Sequence, residues 1–143
     1  MPYELKRSNV ISETLKVGDE TLDIVIRPMD IVKEYQSAEA DIIKAQDAVR
    51  AAEGKPSQDV LEFYGNAIVR LFGVLFGVEN TEKILKFYEG NYDEMSLEVF
   101  PFITDVLKPS VDKEIARMRK RTRESYKKAK YGNKWNLGDK LKK

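Results

Sequence analysis

The chain has 143 residues, of which 42% are hydrophobic and 34% charged; this balance fits one water-soluble globular domain with tails and excludes disordered or collagen-like classes. Cysteine and histidine are both absent, which removes disulfides, zinc–thiolate sites, the commonest metal ligand and the usual nucleophile–base pairs. The net charge of +1 conceals a division: residues 1–107 hold 11 basic and 20 acidic side chains, whereas residues 108–143 hold 14 basic and 4 acidic. A split of this kind points to docking through charge, with a second copy, an acidic protein or nucleic acid.

The opening Met1-Pro2-Tyr3-Glu4 lacks a charged region followed by an apolar one, so no secretory signal is expected and the location is expected to be cytoplasmic. Residues 13–26 form two alternating runs about Gly18-Asp19, which predicts a β-hairpin with Leu15, Val17, Leu22, Ile24 and Ile26 on one face. A two-stranded ribbon is marginal in water, so a helix is expected to cover that face.

Pro28 opens a helix expected to run to Glu53, stopped by Gly54 and Pro56. Its stripe of Ile31, Tyr35, Ala38, Ile42, Ala45, Val49 and Ala52 alternates steps of four and three, so the helix packs along a single seam. Ser57 is the expected N-cap of a helix from Gln58 to Phe76, ended by Gly77. That helix has scarcely any polar face and is expected in the middle of the domain. Glu62, Asn66 and Arg70 interrupt its most apolar stretch, which is short for a membrane span of about 20 residues. Gly65, Val69 and Gly73 make a small-residue strip suited to a neighbouring helix.

Asn80 is expected to cap a short helix, Thr81 to Tyr88, closed by Gly90. Asn91-Tyr92-Asp93 starts another, with Val99, Phe102, Ile103, Val106 and Leu107 inward between Ser96 and Lys108; Pro101 is expected in its first turn or at a kink. Pro109 is expected to break or bend the path before a last helix with Val111, Ile115 and Met118 inward. Gly132, Asn133 and Gly138 then argue for a frayed end. The expected architecture is mainly α: a small bundle of about four to five helices with an N-terminal β-hairpin and a basic C-terminal helix. Its divisions are a tail over 1–12, a helical domain over 13–116 and a basic helix with frayed tail over 117–143.

Phosphate-cradling, zinc and EF-hand signatures are all missing, and Glu89, Asp93 and Glu94 have no further ligands nearby in the sequence. No catalytic, cofactor-binding or metal-binding residue is assigned, no cofactor is expected, and the chain is not expected to be an enzyme. Candidate partner-binding residues are Arg117, Arg119, Lys120, Arg121, Arg123, Lys127, Lys128 and Lys130. Basic side chains on a helix also neutralise phosphates, and Tyr126, Tyr131 and Trp135 offer stacking surfaces. The acidic body would repel the same polyanion, so a partner-docking helix is favoured over nucleic acid. An acidic body and a basic tail also predict self-association.

The run Phe72-Gly73-Val74-Leu75-Phe76-Gly77-Val78-Glu79-Asn80-Thr81, then Phe87-Tyr88-Glu89-Gly90-Asn91-Tyr92, Pro101-Phe102-Ile103 and the terminal basic helix, resembles the tail assembly chaperones of long-tailed bacteriophages and prophages. The resemblance covers residues 13–130 and is strongest over 60–107. It implies a non-catalytic function in the host cytoplasm: coating the long helical tape measure protein, keeping it soluble and handing it to the tail tube protein. Helix-in-groove docking, which covers an apolar stripe, suits that function.

Overall fold

The structure is a computed structural model that describes the backbone of residues 2–141 and the side chains of residues 2–129. It is mainly helical with an N-terminal hairpin, as expected. Strands β1 (Ile11–Val17) and β2 (Glu20–Ile26) pair antiparallel with Leu15 opposite Leu22. The connection is the two-residue turn Gly18-Asp19, with Gly18 at φ +62°, as the first central position of a II′ turn requires. Period-two alternation then puts Leu22, Ile24 and Ile26 on the buried side, where each is at most 2% exposed.

Helix α1 (Pro28–Ala51) buries Tyr35, Ala38, Ile42 and Ala45 from the predicted seam. Ile31 and Val49, at its two ends, are half-buried. Helix α2 (Gln58–Phe76) begins where Ser57 Oγ accepts the Val60 N–H at 3.3 Å and ends at Gly77, φ +84°. It lies along α1, joined by Arg70, whose guanidinium pairs with Asp41 and donates to Ser37 Oγ at 3.0 Å. In the core Phe72 meets Phe76 tilted and Phe100 edge-on, with ring centres 5.3 and 6.1 Å away. The hairpin face closes over the same core.

The expectation of a fully central α2 holds only from Gly65 onward. Leu61 and Phe63, in the first two turns, are 45% and 44% exposed. The small-residue strip meets a neighbouring helix at one end only: Tyr92, the first residue of a later helix, lays its ring against Gly65, and the space beside Gly73 is open.

Asn80 does not cap a helix. Helix α3 (Val78–Phe87) starts earlier, with Gly77 in the cap position and no side-chain cap. The Asn80 amide donates instead to Asp23 O at 3.0 Å and Phe76 O at 3.1 Å, tying β2 to the end of α2. A cap side chain accepts a backbone N–H, whereas Asn80 here satisfies two carbonyls.

Helix α4 (Tyr92–Phe102) is capped by Asn91, whose Oδ1 accepts the Glu94 N–H at 3.1 Å. Pro101 sits in its last turn, not its first. A π-helical turn, Ile103–Leu107, then runs directly into α5 (Lys108–Leu141). Pro101 and Pro109 both lack an amide hydrogen, which removes the α-type bonds to Leu97 O and Asp105 O. Lys108 N–H donates to Ile103 O, five residues back, so the wider π turn keeps the path helical through Pro109, where a break or a bend was expected. The first turns of α5 bury Val111 and Ile115. The divisions expected at residues 12 and 116 fall inside β1 and α5, and the fraying expected about Gly132, Asn133 and Gly138 lies outside the residues with described side chains.

Candidate protein-interaction surface

Two clusters of ionised side chains fix where α5 leaves the body. In the first, Lys108 Nζ pairs with Glu39 of α1 and, at 3.0 Å, with Asp112, while Tyr35 OH donates to Asp112 Oδ1 at 3.2 Å. Burial pushes the Tyr35 hydroxyl up, reinforced by Glu39 and Asp112. For Lys108 burial pulls the ammonium down, but the bonds to Glu39 and Asp112 outweigh it and hold the group above its ordinary value.

The second cluster surrounds Glu114, only 5% exposed. Arg117 grips its carboxylate through Nε at 2.6 Å and Nη2 at 2.8 Å, and Asn9 donates its backbone N–H at 2.6 Å and its amide at 3.2 Å. Arg117 holds the carboxyl down to about 2, against the opposing effect of burial and with help from Asn9. The N-terminal segment is thereby strapped to α5 before β1 begins.

These contacts sort the predicted partner-binding residues. Arg117 is engaged with Glu114, and Arg119 donates to Gln36 Oε1 of α1 at 3.3 Å. Lys120, Arg121, Arg123, Lys127 and Lys128 are exposed on α5 and make none of the described hydrogen bonds or salt bridges. The Lys130 side chain lies outside the described residues, as do those of Tyr131 and Trp135. At about 100° per residue the basic positions cover an arc of about 200°. The remaining arc presents Met118, Thr122, Ser125, Tyr126 and Ala129, and Lys6 of the N-terminal segment lies beside it.

A further surface, not singled out by sequence reasoning, runs along α4. Tyr64 of α2 and Asp93, Ser96, Leu97, Phe100 and Pro101 of α4 line an open, largely apolar groove. Leu97 is 75% exposed within it. Asp93, Glu94 and Glu98 stand exposed on the same helix, and from Phe87 to Leu107 the chain has five carboxylates and no Lys or Arg. Tyr88 registers the resulting field: burial raises its hydroxyl first, and Glu98 and Glu94 raise it further. The sequence signal for this face was the cation-free stretch with Leu97 outside the inward pattern.

Among the described residues no group of three or more acidic side chains is arranged to hold a metal ion, and no helix is long and apolar enough to cross a membrane. The described surface carries an apolar groove with an acidic border and an extended helix rich in cations. No protein-family model, curated protein or solved structure matches the chain.

Proposed function

We propose that this protein is a non-catalytic assembly chaperone of the phage-tail type, acting in the host cytoplasm by sheltering helical segments of a tape measure protein and recruiting tail tube subunits. The observation that carries the reading is the groove of Tyr64, Leu97, Phe100 and Pro101, where a large aliphatic side chain stands 75% exposed between aromatic neighbours. Such a groove accepts the apolar stripe of an amphipathic helix, which would otherwise aggregate. The phrasing of residues 60–107 supports the same reading, since both sides of the groove lie within that stretch. The test is co-expression with a tape measure protein. Copurification and raised tape measure solubility are expected, both reduced by Leu97→Asp; an insoluble tape measure, with this protein alone in the supernatant, refutes the proposal.

Nucleic-acid binding is the second reading, favoured by the exposed cations of α5 between Lys120 and Lys128. On duplex DNA its signature is log affinity falling against log salt with a slope of about −0.9 per phosphate neutralised. Absence of binding in low salt removes it.

A further inference from the structure

The chain separates its charges in space as well as in sequence. On α4, Asp93, Glu94 and Glu98 surround Leu97, and no described salt bridge uses any of these carboxylates. Glu94 accepts only a neutral hydrogen bond, from the Asn91 amide. Among the described residues the acidic face is thus uncompensated by cations.

Among the described side chains of α5 the last buried one is Ile115, and a helix rising about 1.5 Å per residue carries Ala129 about 20 Å further along. Beyond Arg119 no described hydrogen bond or salt bridge joins α5 to another element. The stripe of Met118, Thr122, Tyr126 and Ala129 is bordered by Arg121 and Lys128 on one side and by Arg119 and Arg123 on the other. Tyr126 is 69% exposed. This segment therefore has the form the groove would receive: an uncharged strip between two rows of cations, matching an apolar groove with an acidic border.

We infer that the α4 face receives the Arg119–Lys128 segment of a second copy of this chain. Its own segment cannot fold back, because α5 is continuous helix from Lys108 onward and draws those cations away from the body. A neighbour's segment meets no such constraint. The two surfaces differ, so the contact is heterologous and propagates head to tail into a ring or an open chain. Charge steers the approach and its ion pairs hold the contact together with burial of Leu97 against the strip containing Tyr126, neither being sufficient alone. The inference does not depend on the identity of any client, so failure of tape measure copurification leaves it standing.

Sedimentation of the full chain tests it. The weight-average sedimentation coefficient is expected to rise with concentration in low salt and to return to the monomer value near 1 M salt, where the Debye length falls to about 3 Å. A variant with Asp93→Lys, Glu94→Lys and Glu98→Lys, and another with Arg121→Glu, Arg123→Glu and Lys128→Glu, are each expected to remain monomeric alone. Their equimolar mixture restores association, since each supplies the charge the other has lost, and this restoration also shows that both variants are folded. Leu97→Asp is expected to weaken association with its circular dichroism unchanged. A wild-type chain that stays monomeric at every salt concentration, an α4 variant that still associates, or a mixture that stays monomeric overturns the inference.

Discussion

Asn9 donates both its backbone N–H and its side-chain amide to the carboxylate of Glu114, a residue 105 positions further along the chain. With Arg117 on the same oxygens, this carboxylate ties the N-terminal segment to the helix that carries the basic run. The contact makes the strap sensitive to acid. The folded value of about 2 lies below that of an unfolded carboxylate, near 4.5, so the stabilisation is full above about pH 5. It is lost as pH falls through the folded value. Melting of the wild type is therefore expected to drop more steeply between about pH 5 and 2 than that of Glu114→Gln, which has no such group to titrate. Parallel pH dependence of the two proteins would assign the effect elsewhere.

Asn80 distinguishes two roles by substitution. An N-cap tolerates Asp as readily as Asn, because the side chain only accepts. Here the amide donates to Asp23 O and Phe76 O, so Asn80→Asp turns two attractions into repulsions. Asn80→Ala is expected to cost about 1 kcal/mol, and Asn80→Asp more than that. Chemical denaturation measures both; an Asp variant as stable as wild type would restore the capping role.

The hairpin turn offers a conformational test. Gly18 has φ +62°, and a Cβ built there lies 3.1 Å from the Phe87 ring. Gly18→Ala is expected to cost about 1–3 kcal/mol, mostly backbone strain, because the ring, 52% exposed, can move aside. Phe87→Ala combined with Gly18→Ala should recover only the smaller, steric part of that cost in equilibrium unfolding.

Phe72 is the largest fully buried side chain on α2. It is fully buried and meets Phe76 and Phe100 edge or tilt on, so Phe72→Ala is expected to cost about 3–5 kcal/mol in urea unfolding. Leu97→Ala, on the exposed groove, should change stability by less than about 0.5 kcal/mol. Similar losses at both sites would contradict the assigned surface.

Local chemistry was the legible part of the chain. Ser57 and Gly77 bound α2 as read, because a cap and a stop act within a few residues of themselves. Gly18-Asp19 set the hairpin register for the same reason, and the inward faces of both strands followed from alternation. Exposure was harder. Leu61 and Phe63 belong to an apolar run that reads as core, yet each is more than two-fifths exposed. Whether an apolar residue is covered depends on neighbours far away in sequence, and no local pattern records them.

Asn80 and Arg117 show the same division in polar groups. Asn before a helical run is an ordinary cap signal, and only the placement of β2 turns its amide toward Asp23. Arg117 reads as the first member of a basic run, and only the arrival of Asn9 beside Glu114 shows that this arginine belongs to a buried carboxylate. By itself the sequence determined the element types, the hairpin and the opposition between an acidic body and a basic end, since propensity, capping and charge are properties of short segments. The tertiary structure alone decided which cations are engaged, which apolar side chains stay open and where the acidic face lies relative to α5, because those depend on long-range packing that brings distant residues within hydrogen-bonding distance.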